Sequence, residues 1–257
     1  MIASLIATGT ILPGSYLLFG IVVLITAAGN AINDYFDAEI DAINRPDRPI
    51  PSGSVSRKTA WNLSLLLFVS GIVLASQANP ICLGLSILNS AMLYAYAAKF
   101  KRLPLAGNLS VAYLVASMFI FGGAITGWAG IIYTVPITVI TFFAMLGREL
   151  LKAAEDVEGD RKGGADTLPV RIGIQPVVRM ACVSTFLAVV SSVIPFLWWG
   201  WWYLAGILLV DVTLIAAVLK TWQCTDPQCI KKTGATIWIK AGAFASLLVF
   251  ALSAVFL

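Results

Sequence analysis

Histidine is absent from this 257-residue chain and charge is scarce, with only 12% of residues Asp, Glu, Lys or Arg. Without histidine there is no His-ligated haem or zinc site, and the side chain that most often moves protons near neutral pH is missing. The shortage of charge constrains the fold more strongly. Soluble domains are about 45–50% apolar and about 25% charged, whereas here 59% of residues are apolar and mean hydropathy is +0.90. Too little charge is left to cover a water-facing surface, so the sequence reads as an integral membrane protein. Its N-terminal stretch MIASLIATGTILPG lacks the positive flank of a signal peptide and reads as the remaining part of a membrane helix. The four cysteines suggest no framework. Cys82 and Cys182 lie in apolar runs, and Cys224 and Cys229 share a loop with no histidine nearby, which reads as free thiols on a reducing face. The net charge of +4 is small and gathered on one side, which argues against a nucleic-acid partner and for anionic headgroups or substrates.

A membrane helix needs about 20 apolar residues. Such runs occur at 1–12, 14–34, 59–78, 80–98, 108–127, 130–150, 174–195, 200–220 and 236–257. The expected fold is therefore all-α, with about nine transmembrane helices in a bundle and no separate domain within residues 1–257. The turns near Pro13, Asn79, Gly127 and Pro195 carry no Lys or Arg. The other four connections hold almost all the cations, and Arg148, Arg179 and Lys240 lie near helix ends on that same side. All 17 basic residues thus fall on one face, which the positive-inside rule makes cytoplasmic, with the N-terminus inside and the C-terminus outside. Trp198, Trp199, Trp201 and Trp202 flank an uncharged turn, as an aromatic belt at the outer interface would. The carboxylates lie on the basic face too, Asp211 excepted. The loops at 35–58 and 151–173 rhyme as acidic helix end, basic residues and Pro-containing turn, an internal repeat of two half-bundles.

The first acidic helix is GNAINDYFDAEIDAINRPDRPIPSG, residues 29–53. At about 100° per residue, Asn33, Asp37 and Asp41 step round by only about 40° each, and Asn30 and Asp34 share their arc while Glu39 points away. The second is GRELLKAAEDVEGDRKGGADTLP, residues 147–169. If its helix continues through Gly159, Glu149, Lys152, Asp156 and Asp160 share one face, and Glu155 and Glu158 point elsewhere. Carboxylates this dense repel one another at low dielectric, so something positive must sit among them. An all-oxygen donor set suits Mg²⁺, which takes one or two carboxylates and completes its octahedron with water and phosphate oxygens. Two such helices facing each other would hold two or three ions. Lys99, Lys101, Arg102, Arg48, Arg148 and Lys152 would supply counter-charge to an anionic substrate. The competing reading, ion pairs on a wet face, fits one DxxxD better than two on the same side.

Several single residues stay open. Asp211 (LLVDVTL) is either a functional intramembrane acid or a hydrogen-bonded structural one. Tyr96 and Lys99 (YAAK) could be snorkelling anchors. Asn108 could cap the helix at 108–127 or touch substrate, and GAITG at 123–127 reads as plain close packing rather than an association motif.

The NxxxDxxxD of Asn33, Asp37 and Asp41, with the DxxxD of Asp156 and Asp160, resembles the UbiA superfamily of intramembrane prenyltransferases over essentially the whole chain. Chlorophyll synthases and other polyprenyl transferases, including those that prenylate quinone precursors, share much of the first motif. The stretch EDVEGD is most similar to the branch that makes the diether core of archaeal lipids. That resemblance implies a geranylgeranyl diphosphate donor bound through Mg²⁺, its tail in a central apolar chamber open to lipid, and the hydroxyl of geranylgeranylglyceryl phosphate as acceptor. It also implies that Asn33, Asp37, Asp41, Asp156 and Asp160 hold the ions, and Asp34, on the same arc of the first helix, is expected to join them. Tyr96 and Lys99 match the YxxK element near the reacting carbon, and Asn30, Arg48, Lys101, Arg102, Arg148 and Lys152 fall to substrate binding. In two respects the chain departs from the pattern: the first helix is shorter than in relatives, and Ala153 stands where they carry an acid.

A divalent-cation transporter would also want membrane carboxylates, but near the bilayer midplane on broken helices. Here they crowd at one interface beside cations that would repel a bare metal ion. The DG…AR…G…D…D signature of CDP-alcohol phosphatidyltransferases is absent.

Overall fold

The computed structural model describes residues 2–256; Met1 and Leu257, at the ends of the first and last expected spans, lie outside the described residues. Every regular element among the described residues is helical, and eight helices are long and apolar enough to cross a membrane. The ninth expected span is α1 (Ile2–Thr8), a seven-residue helix that ends at Gly9. The chain forms two compact units, Leu12–Phe100 and a second made of Ile2–Ile11 with the residues from Lys101 onward.

The first unit contains α2 (Gly14–Asn44), α3 (Arg57–Ala75) and α4 (Pro80–Ala98), with α2 packed on both of its neighbours. Ser56 caps α3 by accepting from the Thr59 amide at 3.0 Å. Asn79 caps α4 by accepting from the Cys82 amide at 2.9 Å, with Pro80 in the first turn where a missing N–H costs nothing. The 31 residues of α2 amount to about 46 Å at 1.5 Å per residue. A hydrocarbon core is about 30 Å thick. The helix therefore outruns the apolar layer, and the excess carries the acids.

The second unit is built around α6 (Trp128–Lys162), which packs against α1, α5 (Ala106–Gly123), α8 (Ile174–Ser191) and α11 (Ala235–Phe256), while α9 (Phe196–Leu219) packs on α8 and α11. Two short helices, α7 (Leu168–Ile172) and α10 (Pro227–Thr233), lie in the connections. Close backbone approach explains the GAITG run. A Cβ on Gly123 would stand 2.6 Å from the Gly130 carbonyl, so only glycine lets the end of α5 turn tightly into α6. Gly147 has the same role further along, where a Cβ would meet the Ala181 carbonyl at 3.0 Å and push α8 off α6.

Three readings change here. Cys224 and Cys229 are not free thiols but a disulfide. Asp226 accepts from the Cys229 amide at 2.8 Å, and the α10 turn that follows brings the two Cα atoms to 5.5 Å, within bonding range. Trp199 leaves the expected aromatic belt and packs on Tyr203 and Phe250, whereas Trp201 and Trp202 stay exposed. The cause is the non-helical Gly200 (φ 61°), which breaks α9 between them. Asn108 does not cap α5, whose N-cap position is Leu105. Its amide instead donates to the Glu149 carbonyl at 3.0 Å and ties α5 to α6.

Asp211 takes the structural reading. It is 5% exposed, its carboxylate accepts from Ser192 Oγ at 2.6 Å, and the fully buried Tyr203 hydroxyl donates to the Ser192 carbonyl at 2.7 Å. The network closes the α8–α9 turn over a buried acid that would otherwise stand unsatisfied.

Candidate active site

In the first unit the expected face of α2 forms as its periodicity requires. Asn33 Nδ2 donates to Asp37 Oδ2 at 3.0 Å. Arg48 Nη1 reaches back from the following loop and donates to Asp34 Oδ1 at 2.9 Å and to Asp41 Oδ2 at 2.8 Å. The loop folds for this: Arg45 N bonds the Asp41 carbonyl, Arg48 N the Arg45 carbonyl and Ser52 N the Arg48 carbonyl, so the chain doubles back beside the helix it has just left. Asp41 is buried and its side chain is 11% exposed, so a cation there relieves a costly charge. Sequence reasoning placed Arg48 among the substrate-facing cations and did not foresee that it bridges two carboxylates. Glu39 points away, as expected, to an exposed pair with Arg57 at 3.1 Å.

An aromatic cluster that the sequence reading missed steadies this end of α2. The Tyr35 and Trp61 rings lie 4.9 Å apart, Phe36 and Tyr94 5.8 Å, and Trp61 and Tyr94 6.4 Å, joining α2 to α3 and α4, with the Arg57 guanidinium 4.8 Å over Tyr35. Such tilted and edge-on pairs add to area burial and fix ring orientation. The signal was available as aromatics at matching ends of three spans. Tyr96 lies half-buried in the last turn of α4, Lys99 is its exposed C-cap, and Asn30 is exposed on α2.

In the second unit α6 does continue through Gly159, to Lys162. Asp160 is half-buried and accepts from Thr167 Oγ1 at 2.9 Å; Asp156 and Lys152 are exposed. Among the described residues no Lys or Arg pairs with Asp156 or Asp160. The loop after α6 is held by Ala165 N on the Asp160 carbonyl and Asp166 N on the Arg102 carbonyl, which fixes exposed Arg102 beside it; Lys101 is half-buried. Asp166 also binds Arg171 and holds that guanidinium's pKa above its ordinary value. Glu155 faces away from the DxxxD side and accepts from Thr236 of α11 at 3.1 Å, as its position on the helix predicts. Arg148 donates through Nη1 to Glu149, yet its buried Nε has no acceptor among the described residues. An orphaned guanidinium donor about two turns before Asp156 on the carboxylate-bearing helix is a ready partner for a phosphate oxygen.

A family model described as the UbiA prenyltransferase family matches residues 1–255. The chain belongs to that family. Among its UbiA relatives, the digeranylgeranylglyceryl phosphate synthase of Methanoregula boonei is 53% identical over 257 residues, covering all of this chain and 92% of that one. A solved structure described as digeranylgeranylglyceryl phosphate synthase in membranes is similar at a TM-score of 0.88 and 34% identity, over 100% of this chain and 91% of that one. A UbiA homolog from Archaeoglobus fulgidus, bound to GPP and Mg²⁺, is similar in fold at a TM-score of 0.66 and 18% identity, over 95% of this chain and 94% of that one. This chain is thus a multi-pass membrane prenyltransferase of the UbiA family.

The candidate residues on α2 and α6 suit a divalent cation by their chemistry. No three His, Cys, Asp or Glu side chains gather into a closed cage among the described residues. The donors come instead as small all-oxygen groups, Asn33 with Asp37 and Asp156 one turn before Asp160. Mg²⁺ uses such groups when substrate phosphates complete its shell.

Proposed function

We propose that the chain transfers a geranylgeranyl group from geranylgeranyl diphosphate to the free hydroxyl of geranylgeranylglyceryl phosphate, releasing diphosphate, as one membrane domain of archaeal ether-lipid synthesis. The observation that carries the reading is a 53% identity with a synthase of that name that runs through the entire chain. Asn33, Asp34, Asp37 and Asp41 in the first unit and Asp156 and Asp160 in the second would hold Mg²⁺, which when bound supplies positive charge to the departing diphosphate. Arg48 bridges Asp34 and Asp41 and balances part of their charge. Arg148, through its unfilled Nε, with Lys99, Lys101, Arg102 and Lys152, binds phosphate oxygens of donor and acceptor. Asn30 and Tyr96 line the substrates.

The bond between C1 of the prenyl chain and the diphosphate oxygen breaks, and the electron pair leaves with the diphosphate. The acceptor hydroxyl oxygen then bonds C1 and gives up its proton. In a chain without histidine that proton goes to a carboxylate or to the diphosphate itself. The site faces the cytoplasm, because all 17 cations lie on the side that carries both motifs. The N-terminus is then inside and the C-terminus outside.

Purified enzyme in lipid, given radiolabelled geranylgeranyl diphosphate, should prenylate geranylgeranylglyceryl phosphate far faster than its dephosphorylated alcohol or 4-hydroxybenzoate. Equal turnover of the alcohol or the aromatic acid overturns the acceptor assignment and leaves the family activity intact.

A further inference from the structure

On the second unit, α5, α6 and α8 frame an apolar groove of about 380 Å³, lined by Leu109, Phe143, Leu150, Met180 and Leu187, with Arg179 at one end. Its polar lining is already spoken for, since Ser184 Oγ donates to the Phe143 carbonyl at 2.8 Å. Leu109, Met180, Val183 and Leu187 are all more than a third exposed, so the groove opens outward. Leu187 lies eight residues beyond Arg179 on one helix, a rise of about 12 Å at 1.5 Å per residue. The groove thus runs from Arg179 well into the apolar length of α8.

Arg179 is the odd member. It lies in the second turn of α8, on the side where α6 ends in its carboxylates, and it has no acidic partner among the described residues. Its guanidinium rests 5.8 Å from the centre of the Trp222 ring. A Trp–Arg pair near a helix end is what an interfacial anchor looks like. A slot that is apolar along its length and cationic only at its interfacial end matches a molecule with a long chain and an anionic head.

We infer that this groove binds an anionic phospholipid of the surrounding bilayer, one chain between α5, α6 and α8 and the phosphate on Arg179. The charge complementarity selects an anionic over a zwitterionic head, and the length of the slot selects a chain over a free phosphate. Bound lipid would brace α6 at Phe143 and Leu150, about two to four turns before Asp156. The Asn108–Glu149 tie between α5 and α6 already stiffens the same stretch. The inference needs only the membrane setting and is independent of the prenyl-transfer reading, since binding is measured without turnover.

The experiment is native mass spectrometry of the full chain released from detergent, titrated with phosphatidylglycerol and with phosphatidylcholine of identical chains. The first phosphatidylglycerol should bind about tenfold more tightly than the first phosphatidylcholine, the value of one charge-assisted contact. Arg179→Gln should erase that preference, Arg179→Lys should keep most of it, and Val183→Trp should weaken binding of both lipids by filling the slot. Equal retention of the two lipids by the unsubstituted chain, or an unchanged preference in Arg179→Gln, overturns the site and leaves only bulk lipid in the groove. Unchanged binding in Val183→Trp, or retention of geranylgeranylglyceryl phosphate alone, overturns it as well.

Discussion

The acidic ends of α2 and α6 carry the same DxxxD spacing and meet its charge in opposite ways. On α2 a cation from the next loop, Arg48, spans two carboxylates, and an asparagine amide holds a third. On α6 Asp160 is met by a neutral hydroxyl, Thr167, and Asp156 lies exposed with no cationic partner among the described residues. One spacing thus gives a site that is largely neutralised by its own chain and another whose negative charge is left for something else to balance. The repeat read in the sequence is a repeat of helix geometry, not of electrostatics.

The comparison breaks most visibly if one motif proves dispensable. Asp37→Asn and Asp156→Asn should each lower turnover by at least about a hundredfold, because an amide keeps the shape but is a poor Mg²⁺ ligand. Chelation by EDTA should do the same and be reversed by added Mg²⁺. Both variants should still fold, as judged by their melting in lipid. Activity that persists in either variant, or through chelation, removes the metal from that motif.

Arg48→Gln against Thr167→Val sharpens the contrast in stability. Arg48→Gln leaves Asp41 buried without its cation and should destabilise by about 1–2 kcal/mol, a figure discounted because Arg48 and Asp34 are each about a third exposed. A second substitution, Asp41→Asn, should return part of that loss. Thr167→Val removes one neutral hydrogen bond and should cost only about 0.5–1.5 kcal/mol. Thermal melting of the purified proteins measures both. Equal losses would mean that the two ends are electrostatically alike after all.

Most of the membrane architecture was legible in the sequence, because bilayer thickness turns apolar run length directly into helices. The acid faces were legible too, since Asn33, Asp37 and Asp41 are fixed by helical period alone once the helix is granted. What escaped were partners that depend on how a loop returns. Arg48 reads as one more cation until the turns at 45–52 bring it back onto α2. Asn108 reads as either a cap or a substrate contact, yet the start of α5 at Ala106 moves it into the helix, where it reaches α6. Cys224 and Cys229 read as thiols from their loop, and only the α10 turn brings them together. Asp211 was open because nothing in the sequence near it says that Ser192 and Tyr203 converge on its depth.

The smallest expected effects come from carboxylates on the wrong faces of the same two helices, which makes them the controls for everything above. Glu39 pairs with Arg57 at 3.1 Å, but its side chain is 84% exposed, and such a surface pair contributes little once water and salt screen it. Glu158 is exposed on α6, off the Asp156–Asp160 face, and has no ion-pair partner among the described residues. Glu39→Gln and Glu158→Gln should each change turnover by less than about twofold and stability by less than about 0.5 kcal/mol. The measurement is turnover at saturating donor, run beside Asp37→Asn and Asp156→Asn in the same lipid. Each control removes the same single negative charge from the same helix end as its partner variant. A large loss in Glu158→Gln would therefore mean that net charge at the end of α6, rather than the direction in which each carboxylate points, is what the reaction uses.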